Sequence, residues 1–533
     1  MYKVRKSYTI NTMIIANKLG KYWFLIILLM IVSVGGFLRL YALGERPFKA
    51  DEFLDINAIY GYNQTGQWQA WDFNTDAPSV RINPESDKRA WLYRVQVAKL
   101  FDLSFFPPEE WAARLVSVLW SIATIAIIYG VAYSWTRRHL VALVAAGLFA
   151  VSVPAIEMGR TLRMYAMFVP TFLLLVWSVS QFFGRRFTGY KEVSRTHITR
   201  FFNCDYRYLL LIVPLFALAI HLHPLTLNIV FAVLAVIIVA TVIAYKRGVV
   251  QALSRYGSYT ACALSILVMS LIFIQYADIT LPPFLKLNDN FDYIHHILQT
   301  FWHPLIGLTL IGYGVWHSLT KNDEHTLGRL WVSVTFVTIF LLAATLWNRN
   351  IGGQYIAFMQ PFALITAAIG AVALFDRMRA KHFSTGAFVL LLVVFLPQYS
   401  YFFQDNNTYS ITAAGETPDY RKVFDYVKQN SSADEALITR NFRNYYYGGA
   451  NLQVVDFGSE RTEDVLAAEG KFSKITAEIL AGVQGDNASG WFVYTDNDEQ
   501  FISRDAEQYA RDHFERVTDS SLVRGKVFVY RWR

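Results

Sequence analysis

Long apolar runs, separated by short polar segments, fill the chain before residue 404. Because the hydrocarbon core of a bilayer is about 30 Å thick, a spanning helix needs about 20 mostly apolar residues. On that basis the pattern predicts about eleven membrane-spanning helices. Their expected positions are 22–43, 112–135, 138–154, 164–183, 208–222, 225–245, 257–275, 301–319, 330–347, 355–375 and 386–403.

The pattern changes after residue 404, where polar and charged residues predominate. The segment YRKVFDYVKQN has the spacing of an amphipathic helix through Val423, Phe424 and Val427. The segments ALITR, LQVVDF, GWFVYT and GKVFVYRW are rich in β-branched and aromatic residues, which predicts strands. SRDAEQYARDHFERV predicts a helix near the end. This alternation predicts a small α/β domain at 404–533, after a transmembrane domain at 1–403.

Composition supports an α-helical polytopic membrane protein. Hydrophobic residues make up 54% of the chain and charged residues 17%, whereas a soluble domain carries about 25% charged residues. The net charge of +8 does not indicate a nucleic-acid partner. Membrane topology alone predicts such an excess of Lys and Arg.

Lys and Arg also predict the orientation of the spans. The positive-inside rule makes one alternating set of segments cytoplasmic, together with the basic N-terminus. An odd number of spans then puts the C-terminal domain outside the cytoplasm, at an inner or plasma membrane. The first outer loop, about 44–110, lies on that same outer face. After the N-terminus, the basic segments that decide the orientation are 137–138, 185–207, 246–247, 321–329 and 377–381.

Three carboxylates follow the first predicted span in the stretch ERPFKADEFLDIN. If this stretch is helical, Asp51 and Asp55 share a face at i, i+4, with Glu52 beside them and Phe53 on the apolar side. Carboxylates that point into a cavity at the membrane surface can act as general bases. A solvated acidic loop is the alternative that the residues alone leave open.

A pair of arginines occupies the stretch EMGRTLRMYAM at the outer end of the fourth predicted span. Arg160 and Arg163 are spaced i, i+3 near a helix N-terminus, where backbone N–H groups and the helix dipole favour an anion. Arginine forks bind phosphate bidentately, so the pair predicts a phosphate site. The alternative is that both arginines snorkel and anchor the helix end.

Two more outer segments contribute polar residues. His221 and His223 of HLHP are spaced i, i+2 with no third ligand nearby in sequence, so a metal is the weaker interpretation. Hydrogen bonding to a polar ligand, or capping of a helix break, is favoured. Lys88 and Arg89 of ESDKRAWLY either meet a phosphate or lipid headgroup or are solvated surface charges.

These residues together favour transfer of a group from a lipid-linked phosphate to a hydroxyl. A carboxylate is the general base on the acceptor. The cations stabilise the charge that grows on the departing phosphate. Because phosphate leaves as an anion, no general acid is required.

The motifs resemble those of GT-C glycosyltransferases in order and spacing over residues 22–375. ADEFLDI resembles the Asp-Glu motif of the family's first outer loop, and RTLRMYAM resembles its Arg-x-x-Arg-Met-Tyr-Ala motif. EEWAARLVSVLWSIATIAIIYGVAYSWTRR resembles the entry into its second span, and PDYRKVFDYVKQN resembles the start of the outer C-terminal domain of bacterial members. The branches most similar to this chain are the protein O-mannosyltransferase-like and lipid A aminoarabinose transferase-like enzymes.

The resemblance implies a GT-C fold and an inverting hexosyl- or pentosyltransferase that takes its sugar from a polyprenyl phosphate. It implies Asp51 as the catalytic base and Glu52 as the neighbour that shapes the acceptor site. The residues and the resemblance together predict three groups of site residues. The predicted base is Asp51. The predicted acceptor-site residues are Glu52, Asp55, His221 and His223, and the predicted donor-phosphate residues are Arg160, Arg163, Tyr165, Lys88, Arg349 and Tyr355.

The expected partners are membrane lipid, the lipid-linked sugar donor and a glycan, lipid or protein acceptor. No cofactor and no metal site are expected, although the sequence leaves a divalent ion open. A transporter or flippase for polyprenyl-linked lipids is the main alternative. Transporters typically place charges at the bilayer midplane on broken helices, whereas here they lie at span ends. A non-catalytic scaffold is the third class.

Overall fold

The computed structural model describes a large share of the chain, in segments. The described residues are 22–48, 50–73, 76–78, 90–103, 109–184, 205–246, 290–323, 325–347, 352–396, 420–440, 445–448, 452–458, 472–517 and 527–533. The chain forms two compact units. The first comprises Met1–Tyr41, Ser117–Arg160 and Met164–Phe402, and the second comprises Ala42–Val116, Thr161–Arg163 and Phe403–Arg533.

Helices dominate the described residues before 404 and recur in the tail. In chain order they are α1 (Tyr22–Leu40), α2 (Ala50–Thr65), α3 (Trp91–Phe101), α4 (Glu110–Thr136), α5 (His139–Val151), α6 (Val153–Gly159), α7 (Tyr165–Gly184), α8 (Leu209–Leu222), α9 (Asn228–Lys246), α10 (Tyr293–Leu298), α11 (Pro304–Thr320), α12 (Thr326–Thr345), α13 (Gly353–Ile356), α14 (Gln360–Ala380), α15 (Ser384–Val394), α16 (Tyr420–Asn430), α17 (Tyr445–Gly448), α18 (Ala477–Asp486) and α19 (Arg504–His513).

The polytopic helical architecture is confirmed. Within the described residues, six helical segments are long and apolar enough to cross a membrane, and the bent pair α5–α6 makes a seventh if it counts as one span. Helices α8 and α15 are shorter and apolar, and α11 covers most of the predicted span 301–319. The predicted span 257–275 lies outside the described residues.

Helix α14 is central to the first unit. It packs against α5, α11, α12 and α15, and every residue from Gln360 to Val372 is buried. A helix that is apolar and buried all round is typical of the interior of a bundle. The position of α14 therefore fixes its four neighbours.

Two glycines allow α11 and α14 to approach closely. A Cβ added at Gly314 would lie 2.0 Å from the carbonyl oxygen of Thr366, and one added at Gly370 would lie 2.1 Å from that of Leu310. Small residues at such crossings let helix backbones touch, which supplies the van der Waals contact that holds membrane helices together.

The break between α5 and α6 is a bend of 63°. Pro154, in the first turn of α6, cannot continue the hydrogen-bond ladder of α5 because it has no N–H. Polar side chains surround the break: Ser152 Oγ lies 2.9 Å from Thr300 Oγ1 and accepts a hydrogen bond of 2.6 Å from Gln360 Nε2. Side-chain partners of this kind make a broken helix tolerable at membrane depth.

The tail of the chain builds a five-stranded mixed sheet in the second unit, with strand order β4-β3-β5-β7-β6. Strand β3 pairs in parallel with β4 and β5, while β7 is antiparallel to β5 and β6. A separate two-stranded ribbon pairs β1 with β2. The strands are β1 (Trp71–Asp72), β2 (Ala77–Pro78), β3 (Ala436–Thr439), β4 (Gln453–Asp456), β5 (Gly490–Thr495), β6 (Glu515–Arg516) and β7 (Val527–Trp532).

The α/β character of the tail is confirmed. Helix α16 buries Val423, Phe424 and Val427 as its spacing predicts, and β3, β4, β5, β7 and α19 fall on the expected segments. Ile438, Phe492 and buried residues of α18 and α19 form one apolar core. The boundary at residues 403–404 lies outside the described residues and stays a prediction. The compact unit that holds the tail also holds the first outer loop.

The close crossing of α11 and α14 generates a test of the fold. We expect Gly314→Ala to destabilise the protein by about 1–3 kcal/mol, because its Cβ would overlap a backbone oxygen that cannot move alone. The readout is the thermal unfolding temperature of the purified protein in detergent. Gly312→Ala is the matched control, since nothing lies within 4 Å of a Cβ at that position of the same helix. Equal unfolding temperatures for the two variants would refute the close-packing account.

Candidate active site

Helix α2 carries the three candidate carboxylates. Its first turn contains Asp51 and Glu52, where acidic side chains are favoured by the helix dipole. Phe53 and Ile56 are fully buried, so one face of the helix is anchored in the unit. The expected helix from residue 50 is therefore present, and the solvated loop is not what forms here.

Glu52 is buried and forms a bidentate ion pair with Arg114, a residue in the first turns of α4. Arg114 Nε and Nη2 donate to the two carboxylate oxygens at 2.9 and 2.7 Å. The backbone N–H of Leu162 donates a third hydrogen bond, of 2.7 Å, to the Glu52 carboxylate. A buried charge is tolerated when it is paired and its remaining lone pairs accept hydrogen bonds.

Arg114 also organises the segment between α1 and α2. Its Nη1 donates to the carbonyl oxygens of Leu43 and Arg46 at 3.1 and 2.9 Å, and its Nη2 donates to that of Pro47 at 2.9 Å. With the two bonds to Glu52, all five guanidinium N–H donors are used. One side chain therefore fixes both the start of α2 and the chain that leads into it.

Asp55 is held by two further arginines. Arg94 Nε, from α3, donates to one carboxylate oxygen at 2.6 Å, and Arg163 Nη1 donates to the other at 3.0 Å. Both Asp55 and Arg94 are buried. This carboxylate is therefore committed to structure, as a support for α2 and for the link between α6 and α7.

Asp51 differs from its two neighbours in exposure. Its side chain is 45% exposed, against 1% for Glu52 and 3% for Asp55. Arg163 Nη2 lies 3.9 Å from the carboxylate of Asp51, and Arg163 Nη1 donates to its backbone carbonyl at 3.2 Å. Asp51 and Asp55 meet the same guanidinium, which confirms the shared face predicted from their i, i+4 spacing. Asp51 is therefore the most exposed of the three carboxylates of α2.

The two arginines of RTLRMY bind different groups. Arg163 contacts carboxylates of α2, whereas Arg160 is buried and donates to the carbonyl oxygens of Leu38, Arg39 and Tyr41. These carbonyls belong to the last turn of α1 and the residue after it, and cations at a helix C-terminus are favoured by its dipole. Capping of α1 is the interaction that the structure gives Arg160; its expected role at a donor phosphate stays a prediction.

Residues of the tail hold the segment before α2 from another direction. The Tyr447 hydroxyl donates to Glu110 at 2.5 Å and accepts from the backbone N–H of Phe48 at 2.9 Å. Arg421 Nε also donates to Glu110, at 3.0 Å, and its Nη2 donates to the carbonyl of Gly44 at 3.1 Å. The C-terminal part of the chain thus bonds directly to the segment that leads to Asp51.

Aromatic packing reinforces this contact. The Tyr447 ring lies edge-on to Phe53 with centroids 5.7 Å apart, and Tyr420 packs edge-on to the same ring at 6.2 Å. Burial, with the Glu110 carboxylate as the next cause, raises the pKa of Tyr447 well above its usual range. The hydroxyl therefore remains a proton donor to Glu110 at any physiological pH.

A second group of predicted residues assembles in the first unit. His223 caps the break after α8, because its Nδ1 accepts from the N–H of Leu225 at 3.1 Å. Its neutral ring consequently carries the proton on Nε2, 3.5 Å from the Tyr165 hydroxyl. The rings of Tyr165 and Tyr355 are 6.3 Å apart, and each is near His223. Capping, one of the two interpretations favoured for HLHP, is confirmed.

The remaining candidates are Lys88, Arg349 and His221. Lys88 and Arg349 lie outside the described residues, and His221 is half-buried near the end of α8. Among the described residues, no group of three or more His, Cys, Asp or Glu side chains is arranged to hold a metal ion.

Sequence reasoning missed four residues that shape the site: Arg94, Arg114, Arg421 and Tyr447. The signal for Arg114 was available, because a cation inside the apolar start of a span needs a buried partner. Arg94 sits likewise in an apolar helix, WLYRVQV. Arg421 and Tyr447 gave no local signal, since their partners are more than 300 positions away.

Comparisons with known proteins support the fold. The oligosaccharyltransferase of Archaeoglobus fulgidus, tethered to an acceptor peptide with an NVT sequon, matches 96% of this chain and 74% of its own, with a TM-score of 0.56 and 9% identity. The archaeal oligosaccharyltransferase AglB of the same organism, complexed with an inhibitory peptide and a dolichol-phosphate, gives the same values. ArnT from Cupriavidus metallidurans, bound to undecaprenyl phosphate, matches 94% of this chain and 97% of its own, with a TM-score of 0.51 and 10% identity.

No protein-family model matches this chain, and no curated protein matches it in sequence. Because the sequence identity is only 9–10%, the similarity to these solved structures is evidence for the fold alone. The chain has the GT-C fold, as its motifs predict.

The buried Glu52–Arg114 pair makes a quantitative test. We expect Arg114→Met to destabilise the protein by about 3–5 kcal/mol, because it leaves the Glu52 carboxylate buried without its counter-ion. Glu52→Gln/Arg114→Met removes both charges and should cost less than the sum of the two single changes. Thermal unfolding of the three variants measures the coupling. Additive costs would contradict a directly coupled pair.

The hydroxyl of Tyr447 makes a second test. Tyr447→Phe removes the bond to Glu110 and leaves the Phe48 N–H without its acceptor, so we expect a loss of about 1–3 kcal/mol and faster amide hydrogen exchange at residues 44–48. Tyr426→Phe is the control, because its ring contacts Trp491 edge-on at 6.0 Å and that contact is kept. Unchanged exchange at residues 44–48 in Tyr447→Phe would rule out the proposed restraint.

Proposed function

We propose that this protein is an integral-membrane glycosyltransferase that moves a sugar from a polyprenyl-phosphate donor to a hydroxyl acceptor with inversion at the sugar. The observation that carries the proposal is the exposure of Asp51 beside two buried, arginine-paired carboxylates on the same helix. Its support comes from the GT-C fold, which is that of enzymes solved with undecaprenyl phosphate and with a dolichol-phosphate.

Asp51 is the general base in this proposal. Glu52 and Asp55 cannot take that role readily, because their lone pairs already accept hydrogen bonds from arginines and a backbone N–H. A base must come within hydrogen-bond reach of the proton that it removes. The exposure of Asp51 at the start of α2 supports this role, because an acceptor hydroxyl can approach a carboxylate that is not buried.

The proposed transfer needs one general base, which takes a proton, and one leaving group, the polyprenyl phosphate. Asp51 takes the proton of the acceptor hydroxyl as the hydroxyl oxygen forms a bond to the anomeric carbon. The bond from that carbon to the phosphate oxygen breaks, and its electron pair leaves with the polyprenyl phosphate. Attack opposite the departing phosphate inverts the configuration, and no covalent sugar–enzyme intermediate is formed.

Several of the predicted residues are candidates to hold the two substrates. Arg163 lies against Asp51 and Asp55, so it restrains the base and adds positive charge where the phosphate departs. Tyr165, His223 and Tyr355 form an aromatic and polar group in the first unit. We assign this group to the donor and acceptor, together with Arg160, Lys88 and Arg349.

We take the ArnT type as the functional parallel for this chain. ArnT matches over 97% of its own length, whereas the archaeal enzymes are longer than the matched region, with 74% covered. This favours a monophosphate polyprenyl donor and a hexosyl or pentosyl transfer. The acceptor is a glycan, lipid or protein at the outer face of the inner or plasma membrane, where the positive-inside rule also places the tail.

Substitution of the base tests the chemistry. We expect Asp51→Asn to lower transfer at least about 100-fold, the scale on which general-base catalysis contributes, with an unchanged thermal unfolding temperature. Asp102→Asn is the matched control, because its side chain is 49% exposed against 45% for Asp51. Each variant replaces the native gene in the source organism, and mass spectrometry quantifies envelope glycans and the lipid-linked sugar pool. Full complementation by Asp51→Asn would overturn the assignment.

A transport function is separated by reconstitution. Purified protein in vesicles receives a labelled polyprenyl-phosphate sugar and an extract of acceptors from a deletion strain. A transferase releases polyprenyl phosphate in proportion to label in the acceptor, and Asp51→Asn stops both. A flippase moves the label across the bilayer and leaves the sugar–phosphate bond intact, which would refute the proposed transfer.

A further inference from the structure

We propose that the first unit contains a second ligand site, separate from α2, which binds the phosphate group of an anionic phospholipid. The site is a cavity of about 100 Å³ at the end of the bundle where α4 and α11 finish and α5 and α12 begin. It does not depend on the transfer activity, because none of its lining residues is assigned to the donor or the acceptor.

Positive charge dominates the lining. Arg137 and Arg138 from the end of α4, with Lys321 and Arg329 from the α11–α12 connection, supply four cations. Asp323 is the one carboxylate among the lining residues that the structure describes. Arg138 also pairs with Asp376, outside the lining, so four positive charges face two negative charges, and the excess of two makes an anion the ligand that the cavity attracts.

Arg329 has the features of a prepared anion donor. It is 95% buried, since its relative exposure is 5%, and a fork to Asp323 at 3.0 and 2.8 Å fixes its guanidinium. Its Nε nevertheless makes no hydrogen bond to any residue that the structure describes. A buried donor without an acceptor costs about 1–3 kcal/mol. A ligand oxygen in the cavity would remove that cost.

The backbone at the end of α4 holds a cation where glycine is usual. Arg137 has a φ of +55°, and its N–H bonds to the carbonyl of Tyr133 at 2.7 Å, which is a left-handed helix end that favours Gly or Asn. The chain places an arginine there, and Arg137 lines the cavity. Helix α12 is held close by, because a Cβ at Gly328 would fall 2.3 Å from the carbonyl of Trp135.

Phosphate suits this donor set better than a carboxylate or chloride. Guanidinium forks bind phosphate oxygens bidentately, and a phosphate has enough oxygens for donors from several directions. Two of the four cations already pair with carboxylates. Both oxygens of Asp323 contact Arg329, and Arg138 pairs with the half-exposed Asp376 at 2.6 Å. Arg137, whose Cζ lies 5.9 Å from the centroid of the Tyr133 ring, and Lys321, whose Nζ lies 3.9 Å from Asp323 Oδ2, are the other two cations that a headgroup can meet.

The surroundings favour a lipid as the source of the phosphate. Trp316 and Leu319, in the last two turns of α11, are 50% and 37% exposed, as expected of a surface that faces lipid near the headgroup level. Lys321 follows directly and is 48% exposed. Basic pockets between membrane helices commonly bind anionic headgroups on the cytoplasmic side, where the positive-inside rule puts these segments.

The experiment measures lipid binding to the delipidated, full-length protein in neutral detergent. Native mass spectrometry gives the Kd for phosphatidylglycerol and for phosphatidylcholine. We expect preference for phosphatidylglycerol in the unmodified protein, and a Kd about fivefold higher in Lys321→Gln and in Arg137→Asn, the usual effect of one cation near an anionic lipid. Asn tolerates a positive φ, so Arg137→Asn should fold. A second arm titrates inorganic phosphate against chloride at equal ionic strength.

Arg379→Gln is the matched control. Arg379 is an exposed cation in the last turn of α14 and does not line the cavity, so its Kd should be unchanged. Loss of binding in the cavity variants for phosphatidylglycerol alone identifies the lipid headgroup, and loss for inorganic phosphate identifies a soluble phosphate as the source. Lack of binding in both arms would overturn the site. An equal loss in Arg379→Gln would reduce it to general surface charge and would likewise overturn it.

Discussion

The buried ion pair between Glu52 and Arg114 is the constraint on which the candidate active site depends. Its arginine uses all five N–H donors, two on Glu52 and three on backbone carbonyls before α2. A desolvated pair of this kind is weak evidence for net stability, but removal of one partner is expensive. The pair therefore restrains α2. Rotation or translation of the helix would separate Glu52 from Arg114 and leave a buried charge without its partner. Asp51, one residue before Glu52, inherits that fixed position.

A similar logic explains why the tail belongs to the same compact unit as the first outer loop. Glu110, at the start of α4, accepts from both Tyr447 and Arg421, and these two also bind the backbone of Phe48 and Gly44. The segment that leads to α2 is thus held by Arg114 from one part of the chain and by the tail from another. Restraint of this kind by surrounding residues would keep the proposed base Asp51 in a fixed geometry.

Local sequence patterns were sufficient to predict most helices and strands, including α2. They were not sufficient to predict which residues α2 contacts. Apolar runs predicted the helices, and alternating β-branched residues predicted β3, β5 and β7, because both signals are read over a few consecutive residues. The i, i+4 spacing of Asp51 and Asp55 correctly predicted a shared contact. Arg160 and Arg163 look equivalent in sequence, yet one binds the carbonyls that end α1 and the other binds α2. Only the path of the backbone between α6 and α7 separates them, and no local spacing encodes that path.

Three carboxylates within five residues end with three different roles, and environment rather than residue type assigns them. Two oxygens of Glu52 accept three hydrogen bonds, Asp55 bridges two arginines, and Asp51 keeps an exposed side chain beside one of them. A carboxylate that serves as a base needs access more than it needs partners. Arginines pair with Glu52 and Asp55, and both carboxylates are buried. Asp51, at the start of the helix, is the carboxylate that keeps the greater exposure.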